Sequence, residues 1–411
     1  MKYVILLGDG MADLPIKELG GRTPLEYADT PNMDRIAREG TIGLIDTIPP
    51  GFAPGSDVAT LSVLGYDPRK SFSGRGPLEA ANMGVSLDPQ DVAFRCNLVT
   101  LKRDTGKPVM DDFTAGHIRS EESGSIIADI DRMLGNEEFQ FYPGVGYRHL
   151  CVWRKGRESV FTTPPHDITG KEIESYLPHG TDAQPIRTLM ERSWEYLPGH
   201  PVNCRRAASG ERVANSIWLW GQGKSPVIES LTERHGLNGG GVISAVDLLN
   251  GIGIYAGLQV IRVKGATGYI DTDYQGKAEK ALECLDTLDF MFVHVEAPDE
   301  MGHEGNLYGK IKAIEDFDKK VVGVVLRGIE GFGSYRIMVL SDHPTPIQIK
   351  THSKDPSPFA IFSSIPDENL KNAIAFGESD AKKGKILISP GYRLLSMFLG
   401  DWRMWVEKES H

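Results

Sequence analysis

Cysteine is scarce: Cys96, Cys151, Cys204 and Cys284 are the only four in 411 residues, and no two form a Cys-x-x-Cys pair. This excludes a dense disulfide framework and a zinc-finger spacing, and reads as incidental thiols in a reducing compartment. Long apolar runs are also lacking, and no segment approaches the roughly 20 apolar residues of a membrane span. The first apolar run, residues 3–7, is too short for the core of a secretory leader and runs into Gly8-Asp9. A soluble, cytoplasmic protein is expected. Basic charge is in deficit, with Lys+Arg 45 against Asp+Glu 56 and a formal charge of −11. Such a balance argues against wrapping nucleic acid or coating an anionic membrane. It leaves room for a local cationic pocket and a small anionic substrate. A phosphate-binding P-loop is missing too, because Gly223-Lys224-Ser225 has Trp218 where the motif needs its first glycine.

What is present is an alternation of short apolar runs and amphipathic segments. At roughly 100–200 residues per domain, the length suggests two or three domains, or one large core with an insertion. Apolar runs at 3–7, 290–295, 337–340 and 359–362 predict strands buried on both faces, as in a parallel sheet. Helices are predicted over 32–39 (capped by Asn32 or Thr30), 277–285 and 310–326. The middle of the chain differs, with strand-like runs at 92–101, 139–142 and 149–153, proline-rich loops and one clear helix at 185–196. The predicted architecture is therefore an α/β core with a mostly parallel sheet, residues 1–90 and 210–411, interrupted by a smaller α+β insertion at 91–209.

Acids and histidines punctuate the ends of the predicted strands. Open parallel sheets gather their functional loops beyond the carboxyl ends of the strands, which would bring Asp9, Asp299 and Asp342-His343 to one rim. Asp299 and His303 stand four residues apart and share a face if a helix begins after Pro298. His352 lies in a loop able to return to the same rim. Each of these alone reads as a cap, turn or surface residue; together they predict a metal centre. Carboxylate and imidazole without cysteine suit Mn²⁺ or Zn²⁺, and Mg²⁺ less well. Ser56 follows Pro54-Gly55 and precedes a helical run at 58–64. Alone it is a good N-cap; beside metal ions, at the positive end of a helix, it becomes a phosphate acceptor. Gly251-Ile252-Gly253-Ile254-Tyr255-Ala256 matches a loose dinucleotide fingerprint, but the segment before it looks helical, so it reads as packing or turn.

Gly8-Asp9-Gly10-Met11, Pro54-Gly55-Ser56-Asp57, Glu296-Ala297-Pro298-Asp299-Glu300-Met301-Gly302-His303, Asp342-His343 and His352 resemble the alkaline phosphatase superfamily. Within it the resemblance is to archaeal-type, cofactor-independent phosphoglycerate mutases. It extends to Leu64-Gly65-Tyr66-Asp67-Pro68, Gly74-Arg75-Gly76-Pro77-Leu78-Glu79-Ala80, Phe94-Arg95-Cys96-Asn97-Leu98, Pro165-His166-Asp167-Ile168-Thr169-Gly170 and Gly265-Ala266-Thr267-Gly268-Tyr269. The resemblance implies an alkaline-phosphatase-like core and two divalent ions, with no 2,3-bisphosphoglycerate. Asp9, Ser56, Asp342 and His343 would hold one ion, and Asp299, His303 and His352 the other. Ser56 would become a phosphoserine during interconversion of 2- and 3-phosphoglycerate. His166 and Asp167 are the candidates for proton transfer, and Arg148, Arg206 and Lys264 for binding phosphate or carboxylate. The expected partner is a small phosphorylated substrate, with no nucleic acid and no membrane. The stretch 215–223 carries tryptophans where archaeal mutases tend to have an arginine. In this it looks more like a subgroup proposed to phosphorylate homoserine through the same metal–serine site.

Overall fold

The computed structural model describes residues 1–102 and 106–400. In chain order its strands are β1 (Lys2–Gly8), β2 (Thr41–Ile45), β3 (Val92–Lys102), β4 (Val109–Asp112), β5 (Phe139–Val145), β6 (Arg148–Trp153), β7 (Ser216–Gly223), β8 (Gly240–Ile243), β9 (Gln259–Val260), β10 (Phe290–Val295), β11 (Tyr335–Leu340), β12 (Ser357–Ser363) and β13 (Leu387–Ile388). The chain divides into two compact units, residues 1–72 with 227–400, and residues 73–226.

The first unit is built on an eight-stranded sheet in the order β13-β2-β12-β11-β1-β10-β8-β9. Every neighbouring pair is parallel except those made by β12, which runs antiparallel to β11 and β2. All six residues of β10 and of β11 are buried, as their apolar runs predict for strands covered on both faces. In register, Leu7 of β1 lies opposite both His294 of β10 and Leu340 of β11. The three strands therefore end side by side, and the residues that follow them emerge at one edge of the sheet.

Two helices depart informatively from the sequence reading. Pro31–Glu39 buries Met33, Ile36 and Ala37, but the Thr30 side chain makes no cap hydrogen bond. Its orphan donors are satisfied from far along the chain: Asp318 accepts from the backbone N–H groups of Met33 at 2.7 Å and Asn32 at 3.3 Å. Asp318 opens a π-helical turn, Asp318–Val322, that joins Leu307–Phe317 to Gly323–Ile329 within the region predicted as one helix.

Beneath the β1 loop lies a buried charge network. Lys310 Nζ, fully buried, pairs with Asp13 Oδ2 at 2.7 Å and donates to the Ala12 and Thr345 carbonyls at 3.1 and 2.9 Å. The Glu378 carboxylate accepts from Asp13 N–H at 3.0 Å and from the Thr23 hydroxyl at 2.8 Å. Burial pushes the Glu378 pKa up from 4.5 to about 7. The fold thus binds this proton more tightly than the unfolded chain does, so its contribution is complete below pH 4.5 and disappears as pH rises through about 7. In Glu378→Gln that dependence should vanish. The wild-type stability minus that of the variant should fall as the medium goes from weakly acidic to weakly alkaline. Thermal unfolding of both proteins over that range checks it, and a constant difference would contradict the assignment.

The second unit is a five-stranded sheet in the order β4-β3-β6-β5, with β7 also paired to β3 and each pairing antiparallel. It is wider than the 91–209 read from sequence because β7 pairs along β3, and the helix Arg75–Asn82 packs on β3 as well. The fifteen-residue helix Ser120–Leu134 adds to the one clear helix read here from sequence. Its serines and glycine mask the spacing, yet Ser123, Ile126, Ile127, Ile130 and Leu134 form one buried stripe. The run 251–256 lies almost wholly inside the helix Asp247–Tyr255, so its glycines serve helix packing rather than a strand-to-helix phosphate turn.

Candidate active site

At the carboxyl end of β1 the chain turns through Gly10, whose φ is +60°. A Cβ there would stand 2.5 Å from Asp299 Oδ1 and 2.6 Å from Thr345 Oγ1, so glycine is needed for both conformation and space. The turn aims Asp9 at the residues that follow β11. Asp9 Oδ1 lies 3.4 Å from Ser56 Oγ and 3.4 Å from His343 Nε2, and Ser56 Oγ lies 3.2 Å from His343 Nε2. Asp342 Oδ1 accepts from the Gly10 and His343 backbone N–H groups at 3.1 and 2.9 Å. Its other oxygen, Oδ2, is buried, has no hydrogen-bond donor among the described residues, and faces His343 Nε2 at 3.3 Å. A buried carboxylate oxygen left so exposed to its neighbours' lone pairs calls for a cation.

A second donor set adjoins the first. Asp299 and His303 share one face of the helix Ala297–Glu304, with Pro298 in its first turn. His303 Nε2 is 3.2 Å from Asp299 Oδ2, His352 Nε2 is 3.4 Å from Asp299 Oδ1, and the two Nε2 atoms are 2.9 Å apart. The His343 and His352 rings lie 4.2 Å apart, and Asp299, His343 and His352 also bring ligand atoms within 4.8 Å of one another.

The far side of each imidazole fixes which nitrogen is free. His303 Nδ1 meets the Lys350 carbonyl at 3.1 Å and His352 Nδ1 the Pro54 carbonyl at 3.3 Å, so both Nδ1 atoms must donate. His343 Nδ1 lies 3.3 Å from Thr345 Oγ1, whose own proton goes to Asp299 Oδ1. Each ring therefore turns its Nε2 toward the carboxylates, where it can hydrogen-bond or, once deprotonated, ligate an ion, the arrangement of metal-binding histidines. The donors present fit divalent ions, and the electrostatics agree. Burial, with the neighbouring charges of Asp342 and Asp299, holds the Asp9 carboxyl well above the usual range. Burial would do the same to Asp299, but hydrogen bonds from His303 and His352 pull it well below. The Asp299 hydrogen bond in turn raises His303 to about 9.

Ser56 opens the helix Ser56–Val63, while the N-cap position belongs to Gly55. The bland reading of Ser56 as a cap gives way: its hydroxyl turns toward Asp9 and His343, partly open to solvent.

The sequence matches the family model described as 2,3-bisphosphoglycerate-independent phosphoglycerate mutase over residues 37–203. A protein of Geobacter sulfurreducens named as a probable mutase of this kind is 54% identical over 399 residues, covering 97% of this chain and all of that one. The chain belongs to the 2,3-bisphosphoglycerate-independent phosphoglycerate mutase family. A family member from Methanosarcina barkeri is 54% identical, with 94% of this chain and 96% of that one covered. Among solved structures, a Pyrococcus horikoshii protein superposes with a TM-score of 0.79 at 31% identity, covering 100% of this chain and 98% of that one. The cofactor-independent phosphoglycerate mutase of Thermoplasma acidophilum gives 0.66 at 27% identity, covering 97% and 100%. Among the described residues no helix is long and apolar enough to cross a membrane.

In this mutase-family chain all seven sequence-predicted metal ligands converge in the first unit. Lys264 belongs to the same unit, exposed in the segment after β9. The other predicted residues lie in the second unit. His166 Nε2 is 3.7 Å from Asp167 Oδ1, and its ring meets Trp220 at 5.3 Å and Phe113 at 6.0 Å. Burial, helped by the charges of Arg75 and Arg95, outweighs Asp167 and lowers the His166 pKa. Arg95 places its guanidinium 4.4 Å from the centre of the Trp220 ring, and Arg75 lies at 5.9 Å. Sequence reasoning passed over these two arginines as site residues, although the motifs at 74–80 and 94–98 carried them. They also bring arginine charge to the very tryptophan of the 215–223 stretch. Arg148 is exposed on β6 beside Tyr147. Arg206 is instead committed within its unit, buried and bound to Glu122 at 2.8 Å, Glu211 at 2.9 Å and the Arg212 and Ala115 carbonyls. Its fork is engaged within its own unit.

Proposed function

We propose that this chain interconverts 2- and 3-phosphoglycerate through a phosphoserine at Ser56. The observation that carries the proposal is the position of the Ser56 hydroxyl, at a helix start and within 3.4 Å of Asp9 and 3.2 Å of His343. Asp9, Ser56, Asp342 and His343 would hold one divalent ion, and Asp299, His303 and His352 a second, with Mn²⁺ or Zn²⁺ suited to the imidazoles better than Mg²⁺. Bound ions of this kind neutralise phosphoryl charge and lower the pKa of a coordinated hydroxyl. Ser56 Oγ gives up its proton and forms the new bond to phosphorus as the bond to one glycerate oxygen breaks, and that oxygen takes up a proton. The second glycerate hydroxyl then loses its proton and takes the phosphoryl group as the bond from phosphorus to Oγ breaks, and Oγ takes a proton back to restore the serine. His166 and Asp167 are the proposed carriers of these protons, with Arg148 and Lys264 for the substrate's anionic groups. Arg75 and Arg95 join them on the strength of their places beside His166 and Trp220.

The test is ³¹P NMR of 3-phosphoglycerate with metal-depleted protein, before and after addition of Mn²⁺ and without 2,3-bisphosphoglycerate. Appearance of 2-phosphoglycerate only after Mn²⁺ is the expected outcome. A parallel sample offers homoserine and a phosphate donor; phosphohomoserine without mutase turnover would overturn the reading.

A further inference from the structure

One histidine in the cluster is wired the opposite way. His294, fully buried on β10, brings Nε2 rather than Nδ1 to an acceptor: Asp9 Oδ2 lies 2.9 Å away. Its Nδ1 lies 3.1 Å from Ser244 Oγ, just beyond β8. Ser244 Oγ also accepts from Val246 N–H at 3.0 Å, and its own proton can point at Nδ1 when the Asp9 carboxylate takes the imidazole proton at Nε2. The ring therefore accepts at Nδ1 and donates from Nε2, the reverse of His303, His343 and His352. It has no lone pair to offer an ion, and Lys277 Nζ holds its backbone carbonyl at 3.1 Å.

We infer that His294, its tautomer fixed by Ser244, is a positioning residue that sets the Asp9 carboxylate for metal binding. By occupying Oδ2 it leaves Oδ1 as the oxygen facing Ser56 and His343. Asp9 shares its buried surroundings with Asp342 and Asp299, and a carboxylate there without a directed donor would have no reason to keep this rotation. Donors behind a metal ligand commonly change affinity by about 10- to 100-fold. The inference rests on the metal reading above, and the experiment separates the two.

Metal-depleted full-length wild type, His294→Leu, His294→Gln and Ser244→Ala are titrated with MnCl₂ by calorimetry, and folding is followed by circular dichroism. His294→Leu should weaken Mn²⁺ binding at one site by about 10- to 100-fold. His294→Gln, whose amide N–H₂ can reach Asp9, should recover most of that loss. Ser244→Ala, which leaves the imidazole in place but frees its tautomer, should weaken binding several-fold, by rough expectation from the same effect. Wild-type Mn²⁺ affinity in a folded His294→Leu protein overturns the inference, as does a His294→Gln protein no better than leucine. If the leucine variant does not fold, an undiminished affinity in Ser244→Ala overturns it and a loss supports it. A wild-type chain that takes up no Mn²⁺ removes the metal reading itself, and this inference with it.

Discussion

Ser56→Ala is expected to fold and bind divalent ions, yet to lose phosphoglycerate interconversion by roughly 10⁴-fold or more, the scale set by removing a nucleophile. The helix start keeps Gly55 as its N-cap and the Ser56 hydroxyl turns instead to Asp9 and His343, so alanine removes little that holds the fold. Alanine at the first helical position is also a good helix former. Only the oxygen between Asp9 and His343 is lost. The ligands that remain can still gather a metal and a phosphate, but no group stands ready to accept the phosphoryl. The readout is 2-phosphoglycerate formation by ³¹P NMR, with thermal unfolding to confirm the fold. Activity within tenfold of wild type, by this rough criterion, would remove the phosphoserine from the reaction.

Asp342→Asn is the second large effect, and it should move stability and activity in different directions. In the wild type the buried Oδ2 has no hydrogen-bond partner among the described residues and faces His343 Nε2 at 3.3 Å. An amide there can keep Oδ1 as acceptor for Gly10 and His343 N–H while its N–H₂ donates toward the deprotonated Nε2. One negative charge also leaves the surroundings of Asp9. The metal-free variant should therefore melt at or above the metal-free wild type. With Mn²⁺ the order should reverse. A ligand at 100 times its Kd stabilises the form that binds it by about 2.7 kcal/mol, and the variant should forgo most of that. Turnover should fall by roughly 10³-fold, because the amide offers the ion no charge and the hydroxyl of Ser56 depends on it. Thermal unfolding with and without Mn²⁺, beside the ³¹P assay, reads both effects. A variant stabilised by Mn²⁺ as strongly as the wild type would show that Asp342 is no ligand.

The candidate metal ligands were legible as a converging set because most of them sit where local sequence rules operate. Buried parallel strands write continuous apolar runs, and the residues that end those runs are marked by position alone. Asp9 follows one run, Asp342-His343 follows another, and Asp299 with His303 has helical spacing after Pro298. Their convergence needed only the general topology of a parallel sheet, which the register of β1 with β10 and β11 realises. The surroundings of Arg206 were hidden from the sequence for the opposite reason. A bidentate cation in the middle of the chain has the chemistry to bind phosphate, and only the fold reveals that Glu122 and Glu211 consume it.

The sequence by itself determined the α/β core, the edge at which chemistry would gather, and the residue types that would do it. Tertiary structure alone decided how each donor is used. A histidine within Phe290–Val295 reads as one more strand residue until Asp9, 285 positions away, is seen at its Nε2. The N-cap of Pro31–Glu39 likewise comes from Asp318, and which oxygen of Asp342 is left bare depends on Gly10. Local patterns record burial and backbone preference, which neighbours in the chain create. Tautomers, carboxylate rotation and the fate of a guanidinium are set by hydrogen-bond partners that only folding brings within 3 Å or so.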